Sequence, residues 1–232
     1  MSSPDHTFDR PQTAVILAMS ADGKIADRSR TAARFGSAND KAHLERHVAQ
    51  VDGVLFGAGT LRAYGTTLRV RLPELLEQRR HQDKPPQPVH VVCSRSALLD
   101  PQLPFFRQPV PRWLLTTTAG ARHWQEGEHF ERILAVETAT GVIAWQEALQ
   151  QLWSLGLRTL AVLGGGTVVG ALLEADLLDE LWLTVCPLLL GGAQAPTPID
   201  GTGLAAALAP RLQLLDVRTI EDEVFLHYKV KR

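Results

Sequence analysis

Two glycine-bearing stretches of this sequence have the residue types that bind phosphate. Residues 160–174 (LAVLGGGTVVGALLE) place three consecutive glycines between two apolar runs, and residues 56–60 (FGAGT) follow another apolar run. If such a loop leaves a strand and opens a helix, its free amides at the positive helix end attract phosphate oxygens, and glycine permits close approach. A tight packing turn between strand and helix explains the glycine triplet equally well.

The spacing of these glycines separates them from two common nucleotide motifs. The order GGGTxxG does not match the GxGxxG dinucleotide fingerprint, and it lacks the Lys-Ser/Thr pair of a P-loop. Two glycine loops that each follow a strand nevertheless favour a phosphate-rich cofactor.

Composition limits the class of partner. The 24 Lys and Arg residues nearly balance 25 Asp and Glu residues, so no strong field attracts nucleic acid or an anionic membrane. No apolar run approaches the roughly 18 residues of a membrane span, and residues 1–12 lack the layout of a signal peptide. Cys93 and Cys186 lie in apolar runs and are predicted to be reduced core residues. We therefore expect a cytoplasmic protein with a small-molecule partner.

The elements that must position these loops alternate between strand and helix. Continuous apolar runs predict buried strands at 13–19, 51–59, 89–94, 112–117, 132–136, 158–163 and 178–186, and a terminal hairpin at 212–220 and 223–230. Helices are predicted from Ser37, where Ser37 or Asn39 caps the helix, and at 60–64, 142–155 and 167–176. Residues 65–88 are polar and rich in proline, which predicts an exposed excursion.

This order predicts a single three-layer α/β domain with a mostly parallel central sheet and an antiparallel C-terminal hairpin. Residues 1–12 are predicted to form a flexible tail, and residues 13–232 to form the domain. In such sheets ligands bind beyond the carboxyl ends of the strands, which is where both glycine loops would lie.

The order of several short motifs resembles that of a known family. The stretches AMSADGK, VLFGAGTL, TLRVR and LGGGTVVGALLEADLLDEL, spread over about 13–230, are similar to the RibD C-terminal type pyrimidine reductase domain of riboflavin biosynthesis. This family is related in fold to dihydrofolate reductase. The resemblance implies NADPH-dependent reduction of the ribosylamino chain of a pyrimidine phosphate to a ribitylamino chain, usually by a homodimer. No zinc deaminase motif precedes the domain, which is therefore expected to stand alone.

The resemblance also assigns cofactor contacts. Thr60 matches a threonine that contacts NADPH, with helix capping as its alternative role, and Ser94 matches a serine near the adenosine 2′-phosphate. Met19 matches a residue on the nicotinamide side. The glycine-loop residues expected at the cofactor diphosphate are Gly57, Gly164, Gly165, Gly166, Thr167, Val168, Val169, Gly170 and Ala171.

On the substrate side, the resemblance implies contacts from Ser20, Leu68, Arg71 and Leu163, with Arg71 holding the ribose-linked phosphate. Four positions depart from the family pattern. Tyr64 stands where Asp is common, Leu163 where Glu is common, Val48 where Arg is common and Arg34 where Trp is common. These departures leave two alternatives open: a reductase of another pterin- or pyrimidine-like compound such as dihydrofolate, or a nucleotide-binding homologue without catalysis.

Hydride transfer requires NADPH to be held against an open-chain sugar carbonyl with water excluded, and it requires a proton from solvent or from a side chain. Asp22, in the DGK turn, is the predicted donor, with a plain Asp-Gly turn as its alternative. His43 and His47 are four residues apart on the predicted first helix. Because no cysteine or carboxylate set accompanies them, a solvated helix face is favoured over a zinc site, and no metal is predicted.

Overall fold

The computed structural model describes residues 9–232, within which nine strands form one sheet and six α-helices cover it. The strands are β1 (Gln12–Ser20), β2 (Gly53–Gly57), β3 (Val89–Cys93), β4 (Arg112–Thr116), β5 (Arg132–Ala135), β6 (Thr159–Val162), β7 (Glu180–Cys186), β8 (Arg211–Ile220) and β9 (Glu223–Lys231). The helices are α1 (Ala38–Gln50), α2 (Ala58–Tyr64), α3 (Pro73–His81), α4 (Thr118–Ala121), α5 (Trp145–Ser154) and α6 (Gly166–Glu174). Within this described part, no helix is long and apolar enough to span a membrane.

The sheet confirms the predicted topology. Its strand order is β5-β4-β3-β2-β6-β1-β7-β9-β8, and β1 to β7 pair in parallel. Strand β9 is antiparallel to both β7 and β8, so the chain ends in the predicted hairpin. Central strands of a parallel sheet are buried on both faces, which explains why β2 and β6 read as continuous apolar runs.

Two apolar layers pack on the two faces of the sheet. On one face α5 and α6 bury Leu149 and Leu172 against strand residues such as Val162. On the other face α1 and α2 bury Val48 and Leu61 against strands that include β2. The sheet with a layer of helices on each face is the predicted three-layer arrangement.

Strand β1 begins at Gln12, one residue before the predicted domain boundary at residue 13. Residues 1–8 of the predicted flexible tail lie outside the described residues. Gln12 already pairs with Thr159 in the sheet, and the Arg10 guanidinium donates to both carboxylate oxygens of Asp179 at 2.7 and 2.8 Å. This ion pair fixes the entry into β1, so residues 10–12 belong to the domain.

The predicted exposed excursion at 65–88 is wrong in its middle, where α3 forms. Pro73 occupies the first turn of α3, a position that needs no amide hydrogen. Arg79 is only 1% exposed, and its guanidinium donates to the carbonyls of Ala49, Val51 and Pro85 at 2.7 to 2.9 Å. One cation thus satisfies main-chain acceptors at the end of α1 and in the loop after α3.

Helix α1 begins as predicted but does not present a solvated histidine face. The Ser37 hydroxyl accepts from the amides of Asn39 and Asp40 and caps the helix. His43 is 7% exposed, and His43 and His47 pack against Trp182 of β7. Burial lowers the pKa of His43 to about 4 and that of His47 to about 3, so both rings are neutral core groups. The predicted solvated face is wrong because β7 covers it.

Both cysteines are buried free thiols, as predicted. Burial raises the pKa of Cys93 and of Cys186 to about 12. Each thiol therefore stays protonated and unreactive near neutral pH.

Replacing Arg79 tests the role of its buried guanidinium. Arg79→Leu removes charged donors from three carbonyls, so we expect the free energy of unfolding to fall by about 3 kcal/mol or more in equilibrium denaturation. The matched control is Arg80→Leu on the same helix, where the side chain is 74% exposed and pairs only with Glu77. This control should change stability by less than about 1 kcal/mol. Equal effects of the two substitutions would contradict the assigned role.

Candidate functional site

A cleft of about 680 Å³ opens at the carboxyl ends of β1, β2 and β6. Its floor is formed by residues 16–18 of β1 and by the two glycine loops, which we define as residues 57–60 and 164–168. The cleft is also lined by residues from 30–36, from the first half of α1 and from the segment 66–71. The cleft therefore lies where ligands bind to parallel sheets, beyond the strand ends.

The two glycine loops are joined to each other. The amide of Gly57 donates to the carbonyl of Gly164 at 2.9 Å because β2 and β6 are neighbours in the sheet. Helix α2 starts after Gly57 and helix α6 starts after Gly165, and neither cap residue provides a side-chain hydrogen bond. Two helix N-termini without side-chain caps thus meet at one end of the cleft, an arrangement that suits an anion.

Thr60 faces the second glycine loop. It is the third residue of α2, whose cap is Gly57, so the alternative role of Thr60 as the helix cap is wrong. A Cβ atom at Gly165 would lie 3.5 Å from Thr60 Oγ1. The hydroxyl is therefore within reach of any ligand group that lies over this loop.

Packing explains most of the other glycines in the stretch 164–170. Gly164 has φ of +100°, in the region that favours glycine, and its peptide bond to Gly165 is cis. A Cβ atom at Gly166 would lie 2.3 Å from the Thr197 carbonyl oxygen, and one at Gly170 would lie 1.6 Å from that of Asp200. The loop 197–200 thus rests directly on α6. The packing-turn alternative accounts for these three residues, and Gly165 keeps an open backbone.

Part of the cleft lining is basic. Among residues 9–232, five cationic side chains line the cleft, together with the carboxyl groups of Asp40, Glu45 and Asp200. The Nε atom of Arg69 is buried and has no hydrogen-bond partner within the described chain. Buried polar groups are almost always paired, so this atom marks a place for an acceptor such as a phosphate oxygen. We call these five residues the basic wall: Arg30, Arg34, Lys41, Arg69 and Arg71.

Three side chains fix the segment that carries Arg69 and Arg71. Gln108 exchanges hydrogen bonds with the main chain of Thr67 at 2.8 and 2.9 Å, and Gln87 does the same with Val70 at 3.0 and 2.8 Å. The buried Glu45 carboxylate accepts from the amides of Arg71 and Leu72. These bonds replace sheet pairing along the segment, so the two arginines project from a held main chain.

Most sequence-predicted contacts line the cleft. They are Gly57, Thr60, Leu68, Arg71, Leu163, Gly164, Gly165, Gly166, Thr167 and Val168. The unusual Tyr64 and Arg34 line it as well, whereas Val48 is fully buried in the core between α1 and the sheet.

The DGK turn anchors a loop and does not face the cleft. Ser20 is buried, and its hydroxyl donates to Asp22 at 2.6 Å. The Asp22 carboxylate also accepts from the amides of Leu190 and Gly191 at 3.1 and 2.7 Å. The hydrogen bond from Ser20 and those from the two amides lower the pKa of Asp22 to about 2. Asp22 thus binds to Ser20 and to the connection after β7, and neither Asp22 nor Ser20 lines the cleft.

The remaining predicted contacts also lie away from the cleft wall. The hydroxyl of Ser94, at the end of β3, accepts from the Ala97 amide at 3.0 Å, and Ser94 is buried by its own turn. Val169 belongs to the core, Gly170 is covered by Asp200, and neither Ala171 nor Met19 lines the cleft. None of these five residues lines the cleft.

The sequence prediction missed several lining residues on α1 and in the loops. Asp40, Lys41 and Glu45 lie on one side of α1, and Asp200 comes from the long connection after β7. Arg69 could have been found, because it alternates with Arg71 in TLRVR and residues two apart in an extended segment share a face. The others face the cleft only through contacts with distant parts of the chain.

Comparisons with known proteins agree with this architecture. The sequence matches the RibD C-terminal domain family over residues 11–226. It is 31% identical over 199 residues to the 2,5-diamino-6-ribosylamino-4(3H)-pyrimidinone 5′-phosphate reductase of Archaeoglobus fulgidus, covering 83% of this chain and 87% of that protein. It spans just over half of three curated RibD relatives, 57%, 59% and 56% of their lengths.

Solved structures share the fold. RibD from Acinetobacter baumannii superposes with a TM-score of 0.78 at 20% identity, over 97% of this chain and 59% of that one. Dihydrofolate reductase from Enterococcus faecalis superposes with a TM-score of 0.52 at 13% identity, over 95% of this chain and 97% of that one. The predicted dihydrofolate reductase-like fold is confirmed.

A glycine-to-alanine pair tests the packing of loop 197–200 on α6. Gly170→Ala places a methyl group where the Asp200 carbonyl lies, so we expect a loss of about 1–3 kcal/mol in unfolding free energy. In the control, Gly59→Ala, the added methyl group meets nothing within 4 Å inside a helix, and stability should stay equal or rise by up to about 1 kcal/mol. Thermal denaturation of both variants checks this, and a neutral Gly170→Ala would show that the loop is not fixed there.

Proposed function

The chain belongs to the RibD C-terminal domain family, and we propose that it reduces the ribosylamino chain of a pyrimidine 5′-phosphate to a ribitylamino chain with NADPH. The substrate is 5-amino-6-(5-phosphoribosylamino)uracil or its diamino-pyrimidinone analogue. One observation carries the proposal: two helix N-termini without side-chain caps and a basic wall line a single cleft. Together they offer two groups of anion-binding atoms in one space.

The first site suits the cofactor. Amides at the starts of α2 and α6 would hold the diphosphate, with Thr60 adding a hydroxyl and the open backbone of Gly165 permitting close approach. Bound NADPH would supply the hydride. The chain would hold the nicotinamide end along residues 16–18 of β1, where apolar side chains exclude water from the reacting carbon.

The second site suits the phosphate of the substrate. Arg71 is exposed to the cleft, and Arg69 has an unpaired buried Nε–H, so together they would provide charge-assisted hydrogen bonds. The pyrimidine would then lie between the two sites, near Leu163 and Tyr64. Leu163 offers this base an apolar contact and no hydrogen-bond acceptor.

NADPH oxidation with each of the two pyrimidine phosphates tests this function. We expect turnover that is faster with NADPH than with NADH, and none with dihydrofolate. Arg71→Met should raise KM for the pyrimidine phosphate about 10- to 100-fold, since charge-assisted hydrogen bonds contribute about 1.5–3 kcal/mol. The control is Arg122→Met, an exposed arginine that does not line the cleft.

Each alternative has its own outcome in this assay. Dihydrofolate turnover without pyrimidine turnover would favour a paralogue with a different substrate, a reading motivated by Leu163 and Tyr64. Tight NADPH binding with no turnover on either class would favour a non-catalytic nucleotide-binding homologue. The balanced charge and the buried, protonated thiols fit our proposal of a cytoplasmic enzyme without nucleic-acid or membrane partners.

Strand β8 supports the further proposal of a homodimer. It is the last strand in the sheet order, and nearly all of its residues are exposed. Its exposed apolar side chains include Leu212, Leu214, Leu215 and Val217. Leu212, Leu214 and Val217 pair with alternate residues of β9 across a bulge at Leu215, so these three side chains share one face of the strand. An exposed apolar edge strand favours association, and a second copy offers the same edge for symmetric pairing.

Charge placed on β8 tests the dimer. We expect the wild type to have the mass of two chains in light scattering after size-exclusion chromatography. The double variant Leu214→Lys with Val217→Lys should have the mass of one, because two buried cations would face their own copies across the interface. Leu98→Lys is the control, because Leu98 is 63% exposed but lies far from β8 in the sequence, in the loop after β3. A wild type that is monomeric at micromolar concentration would overturn the proposal.

A further inference from the structure

Asp40 brings a carboxyl group to the cleft from the first turn of α1. It packs closely on Gly36, where a Cβ atom would lie 2.3 Å from Asp40 Oδ2. The Ser37 hydroxyl joins it to Glu223 of β9, because that hydroxyl accepts from the Asp40 amide at 3.2 Å and donates to Glu223 at 2.6 Å. One side of this carboxyl group thus faces the protein interior, while the residue lines the same space as the glycine loops and the basic wall.

Glu223, behind Asp40, is a fully engaged carboxylate. It is 4% exposed and accepts from the Ser37 amide at 2.8 Å, the Ser37 hydroxyl at 2.6 Å and the Cys186 thiol at 3.6 Å. The carboxyl groups of Asp40 and Glu223 therefore differ in the number of hydrogen bonds that they accept.

Asp40 is the one with fewer donors. Burial first, and then repulsion from Glu223, raise the pKa of Asp40, while a hydrogen bond from Thr184 acts in the opposite direction. Its proton is therefore retained to higher pH than that of an ordinary aspartic acid.

The other acidic groups that line the cleft already make hydrogen bonds within the protein. Glu45 holds the amides of Arg71 and Leu72, and Asp200 Oδ1 accepts from the amide and hydroxyl of Thr197 at 3.0 and 2.7 Å. The Tyr64 hydroxyl donates its hydrogen to the Ala33 carbonyl at 2.8 Å, and burial raises the pKa of Tyr64. Among the carboxyl groups described at the cleft, Asp40 alone accepts no main-chain hydrogen bond, and its pKa is raised.

We propose that Asp40 is the general acid of the reduction, an inference that rests on the proposed function. In the balanced step, the bond between C1′ of the ribosylamine and its ring oxygen breaks, C1′ takes the hydride from NADPH, and the ring oxygen takes the proton from Asp40. The products are the open ribityl chain, NADP⁺ and the Asp40 carboxylate, which regains a proton from water through the cleft mouth. Neither glycine loop needs an ionisable group for this step.

A general acid must be protonated to act, which fixes the direction in which kcat should change with pH. Activity requires protonated Asp40, so kcat should fall as pH rises through the pKa of Asp40. The titratable and charged groups around Asp40 are Glu223, Cys186, Tyr64, Lys41 and Arg34. Burial raises the pKa of Cys186 to about 12 and that of Tyr64 above its usual value of 10, so these two titrate well above the expected limb.

Asp40→Asn tests the proposal in saturating NADPH and pyrimidine phosphate. We expect kcat to fall about 100-fold or more, with KM and NADPH affinity unchanged, and the alkaline limb of the pH profile to disappear. Glu223→Gln removes the neighbouring charge, so the limb of that variant should move to lower pH. The matched control is Glu74→Gln, which removes an exposed first-turn carboxylate from α3 and should leave both kcat and the limb unchanged.

The outcomes separate this inference from the function on which it rests. If the wild type binds NADPH but does not turn over the pyrimidine phosphates, the proposed function fails and the inference fails with it. Suppose that the wild type is active and that Asp40→Asn keeps its kcat and its alkaline pH limb, or changes only in KM. The proposed function then stands, and the acid role of Asp40 is overturned. A limb that does not move in Glu223→Gln would likewise overturn it.

Discussion

The hydrogen bond from the Gly57 amide to the Gly164 carbonyl joins the two loops on which the cleft depends. This bond extends the pairing of β2 with β6 past the end of β6. Both strands therefore end at the same edge of the sheet. The helices α2 and α6 must then start side by side, and their unpaired amides point into the same space. A different strand order would separate the two helix ends, and neither end alone would enclose an elongated, doubly charged ligand.

The other walls of the cleft are held by single polar side chains that reach across long sequence distances. Asp22 fixes the connection after β7 through Leu190 and Gly191, and Glu45 fixes the segment that carries Arg71. Arg79 plays the same role beneath α1. Each of these groups satisfies main-chain atoms that no strand or helix pairs. The cleft walls are therefore irregular in secondary structure and yet specified by hydrogen bonds.

The sequence predicted the sheet well because buried parallel strands are continuous apolar runs, a local property that pattern reading detects. It missed α3 because the inner face of that helix buries only Leu75 and the cation Arg79, which leaves no apolar stripe. The two glycine loops that line the cleft were likewise recognisable from local glycine motifs. The roles of Asp22 and Gly170 were not predictable, because their partners lie 168 residues away in one case and in the loop at Asp200 in the other. No sequence pattern indicated a role for Asp40, since its raised pKa depends on burial and on Glu223 of the last strand.

Asp40 lines the same cleft as the five cations of the basic wall, and a nearby cation would lower the pKa of a carboxyl group. Burial of Asp40 and repulsion from Glu223 act in the opposite direction, and the pKa of Asp40 is raised. Four of the five cations, Arg30, Arg34, Lys41 and Arg71, are exposed, so water and salt screen their charges within about 10 Å. Glu223 is buried, where the effective dielectric is lower and a charge acts more strongly at the same distance. The same wall can therefore attract a phosphate with its exposed cations while buried surroundings raise the pKa of Asp40.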